Sequence, residues 1–133
     1  TLDEVREISG IRQVLEPMAM REAMENMTPE ILAEAEKVLS SMSTAADWDQ
    51  WVEDNRSFHN IFYRATPSKR LVAMIKSLQD LTVMFVSNAL ESHPVLRDRA
   101  DHEHHQLLEA FHAGDIERAI EITLAHLAIP LRD

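Results

Sequence analysis

An all-α fold, an antiparallel bundle of about six helices, follows from three observations on the sequence. Glycine occurs twice in 133 residues, against a usual share of roughly 7%. Alanine, leucine, methionine and glutamate, the strongest helix formers, are abundant instead. Alternating strand patterns are missing, and helix caps and breakers punctuate the chain at helical intervals. The length is that of one domain, taken as residues 1–133, and it suffices for a core without staples.

Each helix is justified by its ends. Asp3 opens the first, which runs to about Met27 and carries Gly10 and Pro17 inside it; the proline predicts a bend near residues 13 to 17. Thr28-Pro29-Glu30 places an N-cap before a proline at the first helical position and opens the second, to about Ser43. Asp47 caps the third, which ends before Pro67, and Ser68 caps the fourth, to about Ser92. His93-Pro94 restarts the chain as the fifth, stopped by Gly114; Asp115 caps the sixth, which runs to Ile129-Pro130.

Composition excludes several functions. Thirteen Lys and Arg against 23 Asp and Glu leave a formal charge of −10, which repels phosphate backbones and anionic membrane surfaces. These residues by themselves are not expected to bind DNA. The absence of cysteine excludes thiolate metal sites and disulfides and fits a reducing compartment, with the cytoplasm as the expected location. The apolar stretch Leu81 to Val86 is far shorter than the roughly 20 residues of a membrane span. Thr1 rather than Met opens the chain, as expected of a processed chain or a piece of a longer protein.

Projecting each helix at about 100° per residue sorts its side chains. On the third helix Trp48, Trp51, Val52, Phe58, Phe62 and Tyr63 share an arc, with Asn55 and His59 in its middle. Asp54 lies roughly 140° from His59 and reads as a flank or solvent residue. On the fifth, His104 is centred among Leu96, Ala100, Leu107, Leu108 and Phe111, whereas His102, His105 and His112 fall off the stripe and read as solvated side chains. On the sixth, His126 shares a stripe with Ala119, Ile122 and Ile129. Met18, Met74 and Met84 read as core or pocket filler, and Glu30, Glu34 and Glu36 as a solvated face.

Three histidines and an asparagine thus point into hydrocarbon. Each unpartnered polar group costs about 1–3 kcal/mol to bury, so four must satisfy one another. A divalent metal on Asn55, His59, His104 and His126 does this, because imidazole nitrogens and an amide oxygen are neutral acceptors. Such a set suits zinc or nickel, with iron or manganese as alternatives, and leaves positions open for water or an anion. Arg12 falls on the inward stripe of Val5, Ile8, Leu15, Ala19 and Ala23, where it either pairs internally with Glu16 or clamps a ligand carboxylate.

Ile11 to Pro17 (IRQVLEP), Asn55 to His59 (NRSFH), His104 to Ala110 (HHQLLEA) and Gly114-Asp115 with Ala119 and Ala125-His126-Leu127 stand in order along the chain. Together they resemble the motifs of the FCD domain, the ligand-binding C-terminal domain of GntR-type bacterial transcription regulators of the FadR group. The resemblance implies a helical bundle holding a divalent metal through Asn55, His59, His104 and His126, with Arg12 near a small organic acid. It also implies a homodimer, no catalysis, and contact with DNA only through a winged-helix domain upstream of Thr1. Asn55 stands where many relatives have aspartate, which lowers the site's negative charge and should weaken metal affinity or favour an anionic effector. Thr66-Pro67-Ser68-Lys69 replaces a frequent Gly-Asn-Pro.

Two other functions compete. A metal-dependent hydrolase would use the open metal position to activate water, but no inward carboxylate is evident as a base, since Glu103 projects outward. The Glu109-x-x-His112 string faces away from the core, and His102-Glu103 lacks the second histidine of H-E-x-x-H. A helical interaction module without a ligand would need the histidines to bond to one another.

Overall fold

The computed structural model describes residues 2–45 and 47–128. Among them are six α-helices and no strand: α1 (Leu2–Glu25), α2 (Pro29–Ser43), α3 (Trp48–Phe62), α4 (Lys69–Ser92), α5 (Pro94–Ala113) and α6 (Ile116–Ala128). A 3-10 turn, Tyr63–Ala65, extends α3. Ile129 and Pro130, expected at the end of the last helix, lie outside the described residues.

Local chemistry sets most ends. The Thr28 hydroxyl accepts from the Ile31 N–H and the Asp47 carboxylate from Gln50, and Asp115 accepts from Arg118 in the same way. Gly114 closes α5 at φ 68°, a left-handed conformation that residues with a Cβ avoid. Its N–H reaches back to the carbonyls of Ala110 and Phe111. Helix α1 is unbroken from end to end, with Pro17 inside it. Ser68 stands at the N-cap position of α4, but its hydroxyl is turned toward α1 as a donor to Glu22, at 2.6 Å, and makes no cap hydrogen bond.

Helix α1 packs against α4 and α6, α5 against α6, α2 and α4, and α2 against α3. The core is aromatic at its centre. Phe62 meets Phe58 edge-on at 5.1 Å and stacks on Phe111 at 4.5 Å. Ala19, Ala23 and Ala119 have no exposed surface, which lets the backbones of α1 and α6 approach the rings closely.

Two expectations fail for a common reason. Asp54 is buried, not on a solvent flank, and accepts from Ser41 of α2 at 2.7 Å and from Gln50 at 2.9 Å. Helix α2 covers that side of α3, so the buried arc centres on Phe58, and Asn55 and His59 stand at its edge rather than its middle. Conversely Met18, Met74 and Met84 are not core filler but 56%, 54% and 69% exposed. They stand on the outward faces of α1 and α4, where amphipathic spacing does not say which apolar residues the bundle itself covers.

Candidate metal and ligand site

Helices α3, α5 and α6 each send one histidine to a common point. One ring nitrogen from each of His59, His104 and His126 lies within 4.8 Å of the others. Helix α5 supplies His104 from its inward stripe between Ala100 and Leu107, so the ring is 1% exposed. The Nε2 atoms of His59 and His126 are 3.0 Å apart. Two imidazoles sharing one ion at about 2.0–2.1 Å place their nitrogens at roughly this separation.

The polar accounting fits an ion. Both ring nitrogens of His104 and the Oδ1 of Asn55 are buried without a hydrogen-bond partner. Such orphans are uncommon in a folded protein, and a cation that accepts lone pairs relieves the Asn55 oxygen and one His104 nitrogen together, the other nitrogen carrying the ring proton. Burial is the largest cause that holds the His59 and His104 imidazoles well below the usual histidine range, and proximity to His126 adds to it. Both rings are therefore neutral, the state that ligates metal.

His59, His126 and Asn55 open onto a cavity of about 110 Å³ between α1, α3, α4 and α6. Val52, Val83, Val86 and Leu90 give it an apolar wall, and Arg12, Arg56, Gln79, Ser87 and Thr123 give it polar groups. The Thr123 hydroxyl, one turn before His126, is buried and unpartnered.

Arg12 reaches the cavity, but its guanidinium already donates to Glu16 at 2.9 Å, and the pair is almost wholly buried. The internal pair that the i,i+4 spacing allows is thus formed. Tyr63 donates to the same carboxylate through its hydroxyl. Burial nonetheless raises the Glu16 carboxyl, with Arg12 opposing the rise. The Nε of Arg12 remains buried without a partner.

The lining also includes Asp80, which pairs with Arg56. The sequence alone places the neutral ligands, a cation and Arg12 at this pocket and does not place Glu16, Arg56 or Asp80 in its lining. The cavity instead carries two arginines balanced by two carboxylates, so its excess positive charge would have to come from a bound ion.

Glu103 corrects the projection in a second way. It does not point to solvent: its Oε1 lies 3.4 Å from His126 Nδ1, with both side chains mostly buried. Its position beside the inward stripe of α5, adjacent to His104, and the reach of a glutamate were the available signal. Glu16 was visible only as a partner for Arg12, and Thr123 was not singled out. The outer histidines are where they were placed; His102, His105 and His112 are exposed, and His112 bonds Glu36 on the surface.

A family model described as FCD domain matches residues 7–128. The HTH-type transcriptional regulator McbR of Escherichia coli (strain K12) is 36% identical over 78 residues, 56% of this chain and 35% of that protein. The solved structure of E. coli McbR/YncC matches with a TM-score of 0.82 at 29% identity, covering 92% of this chain and 63% of that one. A transcriptional regulator of the GntR family from Pseudomonas syringae pv. tomato str. DC3000 matches with a TM-score of 0.81, over 96% of this chain and 53% of that one. At 23% identity that likeness is one of fold. The chain thus spans about a third of the curated relative and less than two thirds of either solved chain.

Proposed function

The chain belongs to the FCD domain family, and from that premise we propose that it is the effector-sensing part of a GntR-type transcription regulator. It holds a divalent metal on Asn55, His59, His104 and His126 and receives a small organic acid in the adjoining cavity. The observation that supports this reading is the convergence of three histidine nitrogens within 4.8 Å, beside an unpartnered asparagine oxygen. Four neutral donors leave the ion's double charge intact, and that charge supplies the attraction for a carboxylate. Zinc or nickel suits the set best, and iron or manganese are compatible with it.

DNA enters only through an attached winged-helix domain. The acid's differential affinity for two helix packings then biases the reading heads. Catalysis is not part of this reading. The relatives are regulators, and both carboxylates on the cavity, Glu16 and Asp80, are committed to arginines. No helix among the described residues is long and apolar enough to cross a membrane, and a regulator of DNA works in the bacterial cytoplasm.

Protein purified without a nickel column should carry stoichiometric metal by elemental analysis, and a chelator should lower its melting temperature. An ion at a hundred times its Kd adds about 2.7 kcal/mol, or roughly 10 °C for a domain of this size. His126→Ala should lose the metal and the response to acids together. Retention of stoichiometric metal by that variant, or a wild-type protein that carries none and ignores chelator, contradicts the assignment.

Homodimerisation finds its surface on α1 and α4. Ile11, Val14 and Met18 share the outward face of α1, and Met74, Leu81 and Met84 that of α4, its packing neighbour. Val14 and Leu81 are more than 70% exposed. Apolar side chains gathered on two neighbouring helices mark an association site more often than scattered ones do. Light scattering should give twice the 15.2 kDa chain mass, and the doubly substituted Val14→Glu, Leu81→Glu chain should fall to the single mass. A wild-type chain that stays monomeric at high micromolar concentration excludes the dimer.

A further inference from the structure

The three histidines differ in what stands behind them. His126 turns Nε2 toward His59 and Nδ1 toward Glu103. The side chains of His126 and Glu103 are 16% and 12% exposed, so this contact is shielded from bulk water. Glu103 immediately precedes His104 on α5, and α5 packs along α6. One turn of α5 therefore presents His104 to the centre and a carboxylate to the back of the histidine on the neighbouring helix.

His104 has a weaker arrangement. Its Nδ1 is 4.0 Å from Asp101, beyond hydrogen-bond reach, and Asp101 already accepts from the Trp51 indole at 3.1 Å. Glu103 on His126 is the contact close enough to select a tautomer.

A neutral imidazole has one N–H and one lone pair, and whichever nitrogen donates fixes the other as the ligand. A carboxylate accepts and cannot donate, so Glu103 can meet only the Nδ1–H form of His126. In that form the Nε2 lone pair points at His59. We propose that Glu103 is the positioning residue of this site: by accepting the Nδ1–H of His126 it holds that ring in the tautomer and orientation that ligate. The inference rests on the metal reading above and extends it to a residue outside the ligand set. A glutamate behind the ring also makes Nε2 more basic, which strengthens its bond to a cation.

The test uses zinc as the probe, in competition with a chelating dye, on wild type, Glu103→Ala, Glu103→Gln and, as a control on the exposed face of α5, Glu109→Ala. The ring-nitrogen chemical shifts of His126 are measured in the metal-free proteins. Glu103→Ala should bind zinc about 10–100-fold more weakly, and the His126 ring should distribute between both tautomers. Glu103→Gln keeps an oxygen acceptor in place, so it should restore the Nδ1–H form and most of the affinity. Glu109→Ala should match wild type.

Equal zinc affinity in wild type and Glu103→Ala overturns the proposal. So does an equal loss in Glu103→Ala and Glu103→Gln, or a metal-free wild type whose His126 carries its proton on Nε2. If wild type binds no zinc, the metal reading fails, and the nitrogen shifts still decide whether Glu103 sets the tautomer.

Discussion

His104→Leu is expected to abolish metal binding while making the metal-free protein more stable at neutral pH. The loss follows from removing one of three imidazoles that share a point; even supporting groups outside the ligand set are worth about 10–100-fold in affinity, so a ligand should exceed that range. The gain follows from two buried ring nitrogens without partners. Leaving such groups unsatisfied costs about 1–3 kcal/mol. Leucine is close in volume and has no polar atom, but it gives up the ring's contacts with Phe58 at 5.0 Å and with the other two histidines. Those three contacts are worth about 0.5–1.5 kcal/mol each, against about 1–3 for each of the two nitrogens, so a net gain of about 1 kcal/mol remains.

Acid separates the two chains further. Burial keeps His59 and His104 neutral in the fold, with affinities for protons well below the usual range. In the unfolded chain both titrate at the ordinary histidine value of about 6.5. As pH falls below that value, the unfolded chain takes up protons that the folded one refuses, so stability drops. The slope is about 1.4 kcal/mol per pH unit for each histidine, continuing down to its folded pKa. Above pH 6.5 the two contribute no such slope. His104→Leu removes one of them, and denaturant midpoints of the chelated proteins between pH 7 and 5 should show the variant losing less. Stoichiometric zinc in His104→Leu, or a metal-free variant less stable than metal-free wild type at pH 7, would sink the idea that these orphaned nitrogens belong to a metal site.

The parts of this molecule that could be read in advance are those governed by a few neighbouring residues. Thr28, Asp47 and Asp115 cap helices because a short oxygen side chain meets an N–H two or three residues on. Gly114 ends α5 because only the backbone torsion matters there. The convergence of His59, His104 and His126 was also legible, since a histidine centred on an apolar stripe needs a polar partner from another helix. What escaped depended on which helices pack side by side. Asp54 is buried because α2 lies over that flank of α3, and a projection of α3 contains no α2. Met18, Met74 and Met84 stay exposed because one bundle has room for a limited apolar surface. Glu103 reaches His126 only because α5 and α6 are adjacent. Its outward angle on α5 was right for the backbone and wrong for the tip of a long side chain.

Glu16→Ala should be the most destabilising single change at the site, costing about 3–5 kcal/mol of a total that for domains generally is about 5–15. The Glu16 carboxylate is 2% exposed and joins Arg12 to Tyr63. Its removal leaves a guanidinium, itself 15% exposed, and a buried phenol without their acceptor. Glu16→Gln keeps an oxygen acceptor for one of the two donors, which use different carboxylate oxygens, and loses the charge, so it should fall between alanine and wild type. Replacing Arg12 and Glu16 together with methionine should recover most of the loss, because the cost comes from breaking the pair rather than from lacking it. The same variants test Arg12 as an anion clamp. While Glu16 occupies it, an incoming carboxylate must share or displace that partner. In Glu16→Ala the vacated position opens on the cavity, so added acetate should raise the melting temperature of this variant more than that of wild type. In the double methionine variant acetate should have no such effect. A Glu16→Ala protein within about 1 kcal/mol of wild type would show that the pair contributes little. A destabilised one that acetate leaves unchanged would remove Arg12 from the ligand site and leave it a structural partner of Glu16.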